Sequence, residues 1–145
     1  MSQNTVKYVI GHEGRNVVTA QPSESVLDAV ERMTKHGVGS VVVVGNNDLV
    51  GVLTMRDVLS RVVAEQRDAK ATKVGEVMST GIVTVSPDTE AQEAMDLVMR
   101  TGYCHLPVTN GNDLVGFVTK GDLASWLLRY QEHQIDDLFT YITRS

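Results

Sequence analysis

A single cysteine, Cys104, rules out an internal disulfide and suits a reducing compartment. One tryptophan and two phenylalanines leave the interior to be built from Val, Leu, Ile, Met and Ala. No apolar run approaches the ~18 residues that a bilayer crossing needs, and no charged-then-apolar leader opens the chain. A cytoplasmic protein with no membrane partner is therefore expected. Basic residues are also short: 13 Lys and Arg against 18 Asp and Glu give a formal net charge of -5. That balance argues against non-specific nucleic-acid binding, which draws on phosphate neutralisation. Walker A, Rossmann glycine and nucleophile-elbow motifs are missing.

What the chain does contain is a repeat. Asn47-Asp48-Leu49-Val50-Gly51-Val52-Leu53-Thr54-Met55-Arg56-Asp57 returns 65 positions later as Asn112-Asp113-Leu114-Val115-Gly116-Phe117-Val118-Thr119-Lys120-Gly121-Asp122. The alignment runs without a gap from Val17 to Asp57, with Thr19/Thr84, Pro22/Pro87, Ala29/Ala94 and Gly37/Gly102 identical. Gapless identity gathered at turns and caps implies two similar halves related by an approximate two-fold, neither with enough apolar surface to stand alone.

Each half reads as strand, helix, strand, strand, helix, an α+β fold. Thr5–Ile10 and Lys73–Met78 place apolar residues at i, i+3 and i+4, so each is a helical turn leading into a repeat. The first lead-in is followed by an extra loop, residues 11–15. Val17–Ala20 and Ile82–Val85 read as strands. Pro22 and Pro87 suit a helix's first turn, with Ser23 and Asp88 as N-caps. The helix stripes are Val26, Leu27, Val30 and Met33, then Ala91, Ala94, Met95, Val98 and Met99, closed by Gly37 and Gly102. Val41–Val44 and Leu106–Thr109 each begin an antiparallel hairpin, and Pro107 implies an edge or a strand start. The last helix of the first half carries Val58, Leu59, Val62 and Val63. That of the second carries Leu123, Trp126, Leu127 and Tyr130, and an amphipathic helix follows with Ile135, Leu138, Phe139 and Ile142, expected to cover the core or a dimer seam. The boundaries read as 1–65 for the first repeat with its lead-in, 66–81 for the charged linker and second lead-in, 82–131 for the second repeat and 132–145 for the C-terminal helix.

Thr54 and Asp57, three apart before an apolar periodic run, fit a helix capping box, as do Thr119 and Asp122. The same geometry suits a nucleotide. A helix N-terminus offers unpaired N–H groups to a phosphate, a Thr hydroxyl adds a donor, and an Asp carboxylate accepts from a ribose diol. Arg56, and Arg61 behind it, can supply charge-assisted bonds to phosphate oxygens.

The region from Val6 to Tyr130 resembles a tandem pair of CBS domains, or Bateman module. The resemblance rests on Val-Thr-x-x-Pro before each first helix, the glycine that closes it, His105-Leu106-Pro107-Val108, Leu-Val-Gly-x-x-Thr-x-x-Asp in both copies, and Val-x-x-Val-Met at Val74–Met78. It implies a regulatory module that binds an adenine-containing ligand: AMP, ADP, ATP, NAD(H) or S-adenosylmethionine. Asp57 and Asp122 would hold ribose hydroxyls, and Thr54 and Thr119 would lie near ribose or phosphate. The base would rest against Val18, Thr19 and Ala20 with Gly39, Ser40 and Val41, or against Val83, Thr84 and Val85 with Cys104, His105, Leu106 and Pro107. The resemblance further implies a flat homodimer and a target protein in trans, with no catalysis and no catalytic cofactor. The copies differ: Met55-Arg56 furnishes the first motif for phosphate, whereas the second carries Lys120-Gly121.

Two other readings stay open. A ligand-free dimerisation scaffold would use the Thr-x-x-Asp motifs only as caps. A redox or metal role for Cys104 and His105 would need further ligands, and His12, His36 and His133 show no ligand spacing.

Overall fold

The computed structural model describes residues 4–10, 17–111 and 113–144. The expected loop at 11–15, Asn112 of the second motif, and residues 1–3 and 145 lie outside the described residues. In the first half, α1 (Val6–Ile10) precedes β1 (Thr19–Ala20), α2 (Val26–His36), β2 (Ser40–Gly45), β3 (Asp48–Thr54) and α3 (Met55–Val58). The chain leaves α3 through one wide helical turn, Leu59–Val63. The second half holds α4 (Val74–Val77), α5 (Ala91–Thr101), β4 (His105–Asn110), β5 (Asp113–Thr119) and α6 (Lys120–Arg144).

β2 pairs with β3, and β4 with β5, antiparallel as the hairpin reading requires. Both hairpins shift register at the same place, Val43/Val44 and Val108/Thr109, so the repeat extends to its irregularities. β1 runs parallel to β2, and Val42 donates its N–H to Val18 O at 3.1 Å. The equivalent of Val42 is Pro107, which has no N–H to give. The strand expected at Ile82–Val85 is accordingly reduced to a single bridge from Val85 to Val108.

The helix starts differ from the expectation. α2 is capped by Ser25, whose hydroxyl accepts the Asp28 N–H at 3.0 Å, not by Ser23. Glu90 precedes α5 with no side-chain cap, and Asp88 lies in a turn where its N–H donates to Ser86 Oγ. Pro22 and Pro87 sit in turns ahead of both helices, where their carbonyls receive the lead-in helices. Gly75 N–H donates to Pro22 O, and Lys7 N–H to Pro87 O, each at 2.9 Å. The ends follow the reading: Gly37 and Gly102 close α2 and α5 with φ of 66° and 77°, a left-handed conformation that glycine adopts without strain.

The lead-in helices are exchanged. Val6 and Val9 of α1 are buried in the core of the second half, with α5, β4, β5, Leu123 and Trp126. Val74 and Val77 of α4 are buried in the core of the first. The apolar stripes are narrower than their residue types imply. Val26, Ala29 and Met33 of α2 are buried and Val30 only partly, while Met99 of α5 is exposed. Val58 and Val62 are buried, but Leu59 and Val63 on the same segment are exposed. The C-terminal amphipathic helix is present as the continuation of the preceding one: α6 runs unbroken for 25 residues, and its described side chains beyond Leu127 cover no core.

Candidate functional site

The halves meet through residues that are each other's counterparts in the repeat. Gly39 N–H donates to Cys104 Sγ at 3.2 Å, and Cys104 N–H donates to Ser40 Oγ at 2.8 Å. Gly39 and Cys104 stand 65 apart in sequence, as do Ser40 and His105. A residue that touches its own counterpart lies beside the symmetry axis, so the approximate two-fold passes through this seam. His105 completes it by accepting the Val18 N–H on Nε2 at 3.3 Å. With Nε2 accepting, the neutral ring carries its proton on Nδ1, which is buried with no hydrogen-bond partner among the described residues. Burial pushes the His105 pKa below the usual imidazole value, and the negative charge of Asp122 pulls weakly the other way.

Both Thr-x-x-Asp motifs form closed capping boxes. Thr54 N–H donates to Asp57 Oδ2 and Asp57 N–H to Thr54 Oγ1, each at 3.0 Å. Thr119 N–H donates to Asp122 Oδ2 at 3.1 Å and Asp122 N–H to Thr119 Oγ1 at 2.9 Å. Asp57 is only 8% exposed and also accepts the Ser79 hydroxyl at 3.3 Å, with Arg61 Nη1 3.8 Å from Oδ1. Each box is fixed to the start of its own hairpin. Met55 N–H donates to Gly39 O at 2.9 Å, and Lys120 N–H to Cys104 O at 2.8 Å.

A cavity of about 460 Å3 opens at the second box, lined by Gly37, Val38, Cys104, His105, Thr119, Lys120, Gly121 and Ala124. One wall is the α2–β2 turn of the first half and the other is the helix start of the second. A larger cavity of about 760 Å3 lies along Val17, Val18, Thr19, Ala20, Glu24, Arg32 and His36. His36 and Gly37 are consecutive, and the Val18–His105 bond joins the two linings. Arg32 is paired with Glu24 at 2.6 Å and donates to Thr19 O at 2.8 Å. The hydrogen bond from Arg32 holds the Glu24 carboxyl below its usual pKa. On the opposite side, a Cβ at Gly102 would stand 3.9 Å from Arg56 Nη2. Burial raises the Tyr103 hydroxyl pKa, and the charge of Asp57 adds to the rise. Each box therefore faces the turn of the other half.

The CBS domain family model matches residues 13–64 and again 74–129. The chain belongs to the CBS domain family. It carries two CBS domains, and solved CBS proteins share their arrangement. A CBS-domain protein from Burkholderia ambifaria is 33% identical, with a TM-score of 0.76 over 86% of this chain and 94% of that one. CBSX2 of Arabidopsis thaliana, solved in complex with AMP, is 27% identical, with a TM-score of 0.67 over 88% of this chain and 98% of that one. The mitochondrial CBS domain-containing protein CBSX3 of Arabidopsis thaliana is 34% identical over 124 residues, 82% of this chain. The chain spans 60% of the length of CBSX3.

The CBS pair brings together some of the expected site residues and separates others. Cys104, His105, Thr119 and Lys120 line one cavity, and Val18, Thr19 and Ala20 line the other. Val18, Thr19 and Ala20 are expected to face Gly39, Ser40 and Val41; β1 does pair with β2 of its own repeat, while the Val18 N–H reaches His105 of the other half. Thr54, Arg56 and Asp57 line neither cavity, and neither does Asp122, which is bonded to Thr119. Gly39 and Ser40 belong to the seam. Val41 and Leu106 are fully buried core residues, Pro107 is buried within β4, and Thr84 is exposed where no strand forms. Sequence reasoning missed Gly37 and Val38 as a wall, Arg32 and Glu24, and Ser79 on Asp57. Gly37 carried a signal as a cap, but nothing in local spacing ties Ser79 to Asp57. Among the described residues, no three His, Cys, Asp or Glu side chains cluster as a metal site would require.

Proposed function

We propose that this CBS pair is a regulatory module that binds an adenine nucleotide between the Gly37–Val38 turn and the Thr119 box. It passes occupancy of the site to a target protein in trans. The reading rests above all on that crossed cleft. At about 460 Å3 it falls within the range of small-molecule sites, roughly 300–1,000 Å3. Its polar groups have the chemistry a nucleotide needs. The N-terminus of a 25-residue helix and the Lys120 ammonium suit phosphate, and the Asp122 carboxylate, which is outside the lining and hydrogen-bonded to the Thr119 N–H, has the chemistry to accept from a ribose diol. The AMP held by the similar CBSX2 favours an adenine ligand. Because both halves build the cleft, a ligand there binds best to one mutual arrangement of the halves and shifts the population towards it. The protein is not itself an enzyme in this reading, and it acts as a homodimer.

Thermal unfolding with AMP, ADP, ATP, NAD(H) and S-adenosylmethionine tests the proposal. A ligand at a hundred times its Kd adds about 2.7 kcal/mol of stability. One of these ligands is expected to raise Tm, and Asp122→Ala to abolish the rise while the protein stays folded. Asp57→Ala makes the same test of the first motif. The alternative is a scaffold that binds no ligand, favoured by the carboxylates of both boxes already serving as caps. No response to any of the five ligands would support the scaffold.

A further inference from the structure

The family match ends at residue 129, but α6 continues to Arg144. Its anchoring to the body ends just there. Leu123 and Trp126 are buried, Trp126 Nε1 donates to Asn4 Oδ1 at 3.2 Å, and the Trp126 and Tyr130 rings stack at 5.3 Å. From Leu128 (62%) onward every described side chain is exposed, including Ile135 (66%), Leu138 (60%) and Phe139 (67%).

At about 100° per residue, the anchoring side chains Leu123, Trp126, Leu127 and Tyr130 share one arc of the helix. Leu128, Ile135, Leu138, Phe139 and Ile142 share a different arc roughly 100° wide, turned by about 120° from the first. The second stripe is therefore not a frayed continuation of the core face. Leu128, Ile135 and Ile142 repeat every seven residues and Leu138 follows Ile135 by three, the a and d spacing of a helix that packs on another helix, with the polar Gln131 at the other d position. Arg129, Glu132, Asp136 and Asp137 all fall outside the arc, which leaves a stripe without charge that is compatible with its own copy. The acidic majority on its flanks disfavours an anionic lipid surface.

We propose that the C-terminal part of α6 is a self-association surface, occupied by the same helix of a second copy of this chain. Residues 128–142 span about 22 Å at the α-helical rise, about four turns or two heptads of contact on each side. The contact deepens the homodimer in the proposed function, but it lies on residues remote from the nucleotide cleft, so the two can fail separately.

Sedimentation velocity of the full chain tests it, comparing wild type with the double variant Ile135→Glu, Leu138→Glu. Wild type is expected to sediment as a dimer at micromolar concentration, and the double variant to dissociate at least about 100-fold more readily, because it loses two central apolar anchors. Its Tm at concentrations where both proteins are monomeric stays unchanged, since neither side chain belongs to a core, and any nucleotide-induced rise in Tm is retained. Asp136→Ala, outside the stripe, leaves the dimer intact. A dimer that survives the double substitution overturns the proposal by placing the contact on another face. A wild type that remains monomeric also overturns it, and leaves the stripe to a different protein.

Discussion

His105 holds Val18 across 87 residues of sequence, its Nε2 accepting the Val18 main-chain N–H at the boundary between the two halves. Both partners are buried, so the bond cannot be exchanged for water when it is lost.

Replacing the ring therefore costs stability. His105→Leu strands the buried Val18 N–H and is expected to lower unfolding free energy by about 1–3 kcal/mol, measured by urea denaturation with an unchanged m value.

The same ring sets a pH dependence. Its folded-state pKa lies below the unfolded value because burial penalises the imidazolium. The unfolded chain therefore takes up a proton first as pH falls. The stability is fully present above an unfolded pKa of about 6.5 and is lost as pH drops from there towards the depressed folded value. Tm measured between pH 8 and 5 should fall below about pH 6.5 in wild type, and His105→Leu should flatten that limb.

Gly51 sits where β3 passes the segment after α4. A Cβ there would lie 2.6 Å from Met78 Sδ and 2.9 Å from Ser79 O. The sulfur can move, but the Ser79 carbonyl is held by the Val52 N–H at 2.9 Å. Gly51→Ala is expected to destabilise by about 1–3 kcal/mol, visible as a lower urea midpoint.

The two capping boxes offer a comparison within one molecule. Thr54→Ala and Thr119→Ala each remove one cap acceptor and should cost about 1 kcal/mol in urea titrations. If the Thr119 box also holds phosphate, only Thr119→Ala weakens nucleotide binding by calorimetry beyond its effect on stability.

Lys120 is the cation that lines the described cleft at the second box. Lys120→Ala should weaken nucleotide binding by about tenfold at low salt, and by less at high ionic strength, where screening already reduces the wild-type contribution. Calorimetric titrations at two salt concentrations check both the loss and its salt dependence.

Much of this was legible in the sequence, for identifiable reasons. Gly37 and Gly102 announced helix ends because few other residues take a positive φ without strain, and the Thr-x-x-Asp spacing announced the boxes because capping is a local rule. The hairpins followed from the β-branched runs and their turns. Contacts made across the chain were not legible. Pro107 foretold an edge, but the loss of the strand at Ile82–Val85 depends on which neighbour its missing N–H would have served. Ser79 on Asp57, Val18 on His105 and the crossed clefts depend on how the halves are set together, and spacing within either half carries no trace of that. Ser25 displaced Ser23 as a cap because α2 starts later than its proline suggests.

The exchange of α1 and α4 also limits how the chain can be divided. A cut in the segment between Val63 and Val74 would leave a first fragment that keeps a helix built for its neighbour and lacks its own, and a second fragment in the converse state. Each would expose valines that the intact protein hides completely. Evolution or an engineer can thus transplant this unit only whole, and a ribosome must pass α4 before the first core is sealed and reach α6 before the second one is.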